Sequence, residues 1–187
     1  MKISPALGIL STALPAALLM LSSCVGESAV EENAHKYKEW KETNELYVEQ
    51  QAALTDDNGN PLYTRIDPAW APSAWSLIRW HNDRSLTAGN LSPLDNSTVE
   101  MTYQLLDISG NEIQNSFDRT DSIYQSRPCD NITGVWTALT SMHVGDTVTV
   151  VIPAMAGYGG VVKGDILPYS TLVYNIKLKS ISAYQVK

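Results

Sequence analysis

The last third of the chain constrains the fold most, because a helical pattern is followed there by two runs of strand-forming residues. Residues 132–142, ITGVWTALTSM, repeat apolar side chains at helical spacing, which predicts one short amphipathic helix. Residues 147–153, TVTVVIP, and 170–181, STLVYNIKLKSI, are rich in β-branched side chains, which predicts two strands. The turn residues of HVGD separate the helix from the first of these strands.

Further strand patterns precede this region. Every second residue of one stretch is apolar and predicts a strand with one buried face: Val99, Met101, Tyr103 and Leu105. The proline-interrupted residues 62–83 predict a broken first strand whose ordered part is AWSLIRWHN, at 74–82. A chain of 187 residues can bury one core. Several antiparallel strands around one short helix therefore predict an α+β domain.

The N-terminus carries the pattern of a targeting signal rather than of a folded element. Lys2 precedes the apolar residues 5–21, and these run into LSSC, which ends at Cys24. This arrangement resembles the lipobox of bacterial lipoproteins, which implies that residues 1–23 are a signal peptide and that Cys24 is lipidated. It would anchor the protein in the bacterial cell envelope, on the periplasmic or the surface side. A membrane anchor or an ordinary secretory peptide is the alternative interpretation.

Cys129 is the only other cysteine of the chain. If Cys24 carries lipid, Cys129 has no disulfide partner within the chain. We therefore expect Cys129 to be a buried or half-buried thiol rather than a catalytic one, because no histidine lies near it in the sequence to activate it.

Residues 24–62 are predicted to form a linker and one amphipathic helix ahead of the domain, which spans 63–187. The helix covers 29–54 and carries a narrow apolar stripe on an otherwise polar surface. The stripe consists of Tyr37, Trp40, Tyr47 and Val48. Such a stripe packs either on the domain or on a second copy of the chain, so a homodimer through this helix is one expectation.

The charge and the absence of several motifs exclude some function classes. The chain has 13 basic and 20 acidic residues and a formal net charge of −7, whereas nucleic acid binding needs a basic surface. It contains no phosphate-binding loop, no HxxxH pair and no CxxC pair. His35, His81 and His143 lie far apart in the sequence. We therefore expect no nucleic acid partner, no metal site and no cofactor.

Three segments of the C-terminal half share an order of residues with a known family. They are NITGVWTALTSMHVGD at 131–146, VIPAMAGYGG at 151–160 and ILPYSTLVYNIKL at 166–178. Together with the strand around Tyr103, they resemble the FKBP-type peptidyl-prolyl cis-trans isomerases over about residues 97–183. The resemblance implies an α+β fold in which an FKBP-like antiparallel twisted sheet wraps around one short helix, here with an N-terminal helical extension.

The resemblance also implies a proline-binding pocket and identifies its residues. The side chains at the family's pocket positions are Tyr103, Ile132, Tyr158, Ile166 and Tyr174. Elsewhere in the pocket the sequence departs from the family. Ile113 and Gln114 replace a Phe-Asp pair, Val135 replaces the tryptophan of the pocket floor, and Asn131 replaces a valine.

Other residues are candidates to compensate for these departures. Trp136 follows the floor position directly, although as a helix residue it is better placed to pack in the core. Ile123 or Tyr124 corresponds to a further wall aromatic of the family. Asp118 or Asp121 is an alternative source of the missing acid from a displaced loop.

Two functions from different classes follow from the resemblance. The first is a peptidyl-prolyl isomerase of the cell envelope that acts on proline-containing polypeptides and assists the folding of exported proteins. Such an enzyme needs no nucleophile, because a dry pocket can favour the twisted amide through which an Xaa-Pro bond rotates. The substitutions predict weakened activity. The second is an FKBP-like module that has lost catalysis and binds peptides or acts as a chaperone.

Overall fold

The computed structural model describes residues 29–184. Within them the chain forms three α-helices: α1 Ala29–Lys36, α2 Lys38–Ala52 and α3 Thr133–Ser141. It forms seven strands: β1 Thr64–Ile66, β2 Ser76–Trp80, β3 Thr98–Leu106, β4 Glu112–Asn115, β5 Tyr124–Ser126, β6 Thr147–Ile152 and β7 Leu172–Ala183. Single 3-10 turns follow β2 at Arg84–Leu86, β5 at Pro128–Asp130 and β6 at Ala154–Ala156.

All described strands belong to one antiparallel sheet. Its order is β1-β2-β6-β7-β3-β4, and β5 also pairs with β3. The two longest strands, β3 and β7, pair along nine residues of β3 near the middle of the sheet. The short strands β1, β4 and β5 form the margins, which limits the unpaired backbone that an edge exposes.

The main core lies between α3 and one face of this sheet. Residues alternate along β3 between buried and half-buried, as the period-two pattern predicts. From α3, the side chains of Val135, Leu139 and the following Met142 pack into the same core. Burying a side chain of this size stabilises a fold by about 1.5–3 kcal/mol relative to exposure. The predicted α+β fold, with an antiparallel sheet around one short helix, is confirmed.

Two local predictions need correction. The N-terminal extension is not one helix, because Tyr37 adopts a non-helical backbone conformation between α1 and α2. Its N–H still donates to the Asn33 carbonyl at 2.9 Å and its carbonyl accepts from the Lys41 N–H at 2.8 Å, so the break is local. Residues 62–83 form two strands, since the proline-rich connection after β1 lets it pair antiparallel with β2.

The N-terminal extension packs on the domain. Val48 of α2 joins Tyr63, Leu77 and Val151 in a second apolar cluster. Because Leu77 and Val151 alternate with residues of the main core along β2 and β6, α2 covers the opposite face of the sheet. The structure thus places the apolar stripe against the chain's own domain, while a homodimer stays a prediction.

A buried polar contact fixes α2 to the start of β7. The Asn44 side chain, which is 1% exposed, accepts a hydrogen bond from the Thr171 N–H at 2.7 Å. The Thr171 hydroxyl donates to the Asn44 carbonyl at 3.2 Å, and the Trp40 indole donates to the Ser170 hydroxyl at 3.2 Å. These bonds attach α2 to the end of the loop between β6 and β7.

Candidate functional site

A cavity of about 290 Å³ opens between the start of α3, the sheet and the loop that joins β6 to β7. It is lined by Met101, Tyr103, Gln114, Tyr124, Asp130, Asn131, Ile132, Val135, Tyr158, Lys163 and Tyr174. The lining combines residues from four strands, one helix and two connections. Only the folded sheet brings these distant parts of the chain together.

Four tyrosines form the wall of the cavity. The Tyr103 ring lies 5.2 Å from that of Tyr124, edge to face, and 6.0 Å from that of Tyr174. Strand pairing explains this grouping, because β5 sets Tyr124 opposite Met101 and next to Tyr103. Tyr158 comes from the loop and faces the same space.

Burial keeps three of these phenols protonated. Burial raises the pKa of Tyr158, Tyr103 and, most strongly, Tyr174. Each phenol is therefore neutral at physiological pH and can donate one hydrogen bond. Within residues 29–184 the Tyr158 hydroxyl has no hydrogen-bond partner, so it is free to donate to a ligand in the cavity.

The loop after β6 sets the position of Tyr158. It begins with the 3-10 turn Ala154–Ala156, and the Gly159 N–H then donates to the Ala154 carbonyl at 2.8 Å. The Gly159 carbonyl accepts from the Tyr169 N–H at 2.8 Å, which closes the loop on itself. Tyr158 is thereby fixed between a turn and a backbone bridge.

The floor of the cavity holds a small side chain. Val135 lies there and is 2% exposed. Trp136 points elsewhere: its ring lies 4.3 Å from that of Trp70, and its indole donates to the Asp95 carboxylate at 2.8 Å. Trp136 therefore does not replace the missing floor tryptophan, because consecutive helix residues face directions about 100° apart.

The structure brings together most of the side chains that the sequence assigned to the site. Six of them line the cavity: Tyr103, Gln114, Ile132, Val135, Tyr158 and Tyr174. Ile113 and Ile166 are not among the lining residues, and their assignment to the site stays a prediction. Ile113 packs against the main core without being a lining residue of the cavity. Ile166 is itself a buried core residue.

Three lining residues were missed by the sequence analysis. Met101 could have been found, because it shares the buried face of β3 with Tyr103. Asp130 and Lys163 had no local signal, because they lie in connections that only the tertiary structure directs to the cavity. Asp118 and Asp121 do not line the cavity, which corrects the idea that either supplies the missing acid there.

Asp130 is the acid of this cavity, and it is already engaged. The Arg127 guanidinium donates two hydrogen bonds to its carboxylate, at 2.8 and 2.9 Å. These bonds hold the pKa of Asp130 below its ordinary value. Cys129 lies beside it as a half-buried free thiol, in agreement with the sequence, and its sulfur donates to the Asn96 side chain.

The family of the domain follows from the sequence of this region. Residues 89–179, which include all cavity-lining side chains, match the family model of the FKBP-type peptidyl-prolyl cis-trans isomerases. This part of the chain is an FKBP-type domain. No protein of curated function matches the chain in sequence.

Solved structures show the same fold. A peptidyl-prolyl cis-trans isomerase from Pseudomonas syringae pathovar tomato has a TM-score of 0.63 and 21% identity, over 78% of this chain and 96% of that one. FkpA from Escherichia coli has a TM-score of 0.63 and 22% identity, over 83% of this chain and 64% of that one. At this identity the two structures support the fold of the FKBP-type domain.

The glycine after Tyr158 is required by its backbone conformation. Gly159 has a φ of +63°, and a Cβ there would meet no atom within 4 Å. We expect Gly159→Val to lower the free energy of unfolding by about 1–2 kcal/mol, because an L side chain is strained in this region and a β-branched one most of all.

Urea unfolding measures this effect, and Gly159→Asn is the matched control because asparagine tolerates the left-handed region better. A valine variant as stable as wild type would contradict the assigned conformation. A cost shared equally by both variants would indicate a steric cause instead.

Proposed function

We propose that this protein is a peptidyl-prolyl cis-trans isomerase of the cell envelope, with an activity weakened by its pocket substitutions. The observation that supports the activity is the tyrosine-walled cavity, in which the Tyr158 hydroxyl has no hydrogen-bond partner among residues 29–184. This hydroxyl can donate to the carbonyl of a bound Xaa-Pro segment. Exported proteins that contain proline are the proposed substrates.

The chemistry requires only that the cavity favour the transition state. Rotation of the Xaa-Pro bond passes through a twisted amide against a barrier of about 18–20 kcal/mol. The twisted amide has lost its resonance and is less polar than the planar form, so transfer from water into the cavity favours it. A donor such as Tyr158 fixes the carbonyl while the proline ring packs against the aromatic wall.

Weakened activity follows from the floor and the rim of the cavity. Val135 offers less apolar surface than an indole, and each Å² of lost burial costs about 25 cal/mol. Gln114 replaces a carboxylate at the rim. Asn131 and Asp130 add polar groups to the lining, and these keep water near a proline ring. The proposed pocket therefore binds the transition state less tightly than an aromatic floor would.

The isomerase proposal is tested with short Xaa-Pro peptides by NMR exchange between their cis and trans forms. We expect wild type to accelerate the exchange and Tyr158→Phe to lower kcat/KM by about five- to tenfold, since one hydrogen bond contributes roughly 1 kcal/mol. Tyr184→Phe is the matched control, because Tyr184 is exposed after the end of β7. Equal rates for Tyr158→Phe and wild type would remove Tyr158 from the mechanism.

The runner-up function is peptide binding without catalysis. The small side chain at the cavity floor favours it, because a loose pocket can still bind a segment without stabilising its twisted form. An unfolding client protein distinguishes the two functions. Protection from aggregation together with no acceleration of peptide exchange would support the binding module and reject the enzyme.

The envelope location rests on the lipobox-like LSSC, which lies outside the described residues. Among residues 29–184 no helix is both long and apolar enough to cross a membrane. We expect a clickable fatty-acid analogue, fed to bacteria that express the full chain, to label wild type and Cys129→Ala but not Cys24→Ala. Labelling of Cys24→Ala would overturn the assignment, because the proposal makes Cys24 the residue that carries the lipid. Two or three acyl chains on that cysteine would hold the protein stably in the membrane.

A further inference from the structure

Of the two charged side chains that line the cavity, only one is neutralised by an ion pair. Lys163 and Asp130 are the two charged side chains of the lining. Arg127 binds Asp130 through two hydrogen bonds, so this pair contributes little net charge. Lys163 is exposed and forms no ion pair within residues 29–184. The lining therefore carries one cation whose charge no protein carboxylate of this region neutralises by contact.

A second cation, Arg119, lies against a wall residue of the cavity, although it does not itself line the cavity. The Arg119 guanidinium is 5.0 Å from the centroid of the Tyr124 ring, and Tyr124 lines the cavity. Burial raises the pKa of Tyr103, and the charge of Arg119 opposes that rise, which places Arg119 within electrostatic reach of a second wall residue. Arg119 likewise forms no ion pair with the part of the chain that the structure describes.

The nearby acids do not cancel these two cations by contact. Asp118 accepts a hydrogen bond from the Asn115 side chain at 3.3 Å, and Asp121 accepts from the Ile123 N–H at 3.0 Å. Asp165 is exposed in the turn that the backbone of Lys163 closes. None of these three lines the cavity. The lining thus carries one cation without an ion pair, Lys163, and Arg119 lies against its aromatic wall, on a chain whose formal net charge is −7.

We propose that Lys163 and Arg119 make the cavity select Xaa-Pro segments in which an acidic residue stands directly beside the proline. The proline ring enters the tyrosine-walled space, and the neighbouring carboxylate lies at the rim where the two cations are. This selectivity rests on the proposed function, because it assumes that the ligand contains proline. It adds the substrate class, which neither the fold nor the tyrosine wall specifies.

The size of the effect follows from exposure. A solvent-exposed ion pair contributes about 0.2–1 kcal/mol, so two cations acting on one carboxylate give a preference of roughly twofold to thirtyfold in Kd and in kcat/KM. Screening has a length of about 10 Å at 0.1 M salt and about 3 Å at 1 M. The preference is therefore expected at low salt, and the ratio of glutamate to glutamine peptides in Kd and in kcat/KM should approach one at 1 M salt.

The test compares capped peptides that differ only in the charge and identity of one side chain beside the proline. The series is acetyl-Ala-Xaa-Pro-Phe-amide and acetyl-Ala-Ala-Pro-Xaa-amide, with Xaa as glutamate, glutamine or lysine. Kd comes from NMR titration and kcat/KM from cis-trans exchange, both at low and at high salt. We expect glutamate to exceed glutamine at one or both positions, with lysine the poorest.

Charge variants then assign the preference to the two residues. Lys163→Gln should reduce the ratio of glutamate to glutamine peptides, Lys163→Glu should favour the lysine peptide, and Lys163→Gln with Arg119→Gln should bring the ratio to about one. Lys179→Gln is the matched control, since Lys179 is exposed on β7 and does not line the cavity. It should leave the ratio unchanged.

The outcomes separate this inference from the proposed function. Equal Kd values for glutamate and glutamine peptides at low salt overturn the selectivity, even if exchange is accelerated. A glutamate preference in Kd without acceleration supports the selectivity and rejects the isomerase. A preference that survives the double variant overturns the roles of Lys163 and Arg119. A chain that neither binds nor isomerises any peptide overturns both proposals.

Discussion

Replacing Asp146 with asparagine is expected to lower the free energy of unfolding by about 2–4 kcal/mol. The Asp146 carboxylate is fully buried and accepts hydrogen bonds from the Asn82 amide at 2.9 Å, from the Thr87 hydroxyl and from the His143 N–H at 2.8 Å. Arg84 lies 3.7 Å from it. The NH₂ group of an asparagine side chain would face groups that themselves donate. Each buried donor left without an acceptor costs about 1–3 kcal/mol.

The pH dependence of stability gives a second signature of this carboxylate. Burial alone would raise the pKa of Asp146, but the bonds from His143, Thr87 and Asn82, together with the charge of Arg84, outweigh it and lower the pKa below 3.8. A lowered pKa in the folded state stabilises the protein above the pKa of the unfolded state and ceases to do so as the pH falls through the folded value. The difference between wild type and Asp146→Asn should therefore be constant near neutral pH and shrink below about pH 4.

Urea unfolding at several pH values measures both signatures. Asp57→Asn is the control, because Asp57 is exposed in the turn after α2 and should change stability by less than about 0.5 kcal/mol. A difference between wild type and Asp146→Asn that persists unchanged at pH 3 would show that the carboxylate charge is not what stabilises this region.

The second large effect is expected at the start of α3, where Gly134→Val should cost about 2–3 kcal/mol. A Cβ at Gly134 would lie 2.5 Å from a methyl carbon of Ile152 and 2.8 Å from the Ser76 hydroxyl oxygen. Ile152 is fully buried in the main core, so an added side chain at Gly134 forces strain on the packed core. An exposed helical glycine would show the opposite sign on substitution by alanine, because glycine is the poorer helix former.

Thermal and urea unfolding test this packing argument. Gly89→Val is the matched control, since a Cβ at Gly89 would meet nothing within 4 Å. In an Ile152→Ala background the cost of Gly134→Val should fall, because two of the three closest atoms are removed and the two positions are coupled by contact. If the costs of Gly134→Val and Ile152→Ala are additive, the strain does not arise from the contact between these two residues. Since α3 carries Val135 at the cavity floor, the variant should also weaken peptide binding.

The sequence by itself determined the elements whose signal is local. The alternation from Val99 to Leu105 predicted β3 and its buried face. The spacing within 132–142 predicted α3 to within one residue at each end. In the turn between β3 and β4, Gly110 has a φ of +83°, and this local conformation explains why glycine stands there. Such signals depend on neighbours within a few residues, because helix and strand periods are short.

Only the tertiary structure decided which side chains meet in the cavity. Val135 and Trp136 are adjacent in sequence, yet the packing of α3 directs one to the cavity floor and the other to Trp70. Lys163 reaches the rim through a loop that α2 attaches from the far side of the sheet. These placements depend on strand pairing and on contacts between residues distant in sequence, which no local pattern encodes.

The face that α2 covers was likewise decided by the fold. The stripe around Trp40 and Val48 showed that a narrow apolar surface needs a partner, and it was equally compatible with the domain and with a second chain. The sheet supplies that partner through Leu77 and Val151, and Thr171 supplies the donor that Asn44 accepts. A sequence specifies that an apolar surface must be buried, whereas the shape and hydrogen-bonding groups of the surface opposite it determine where.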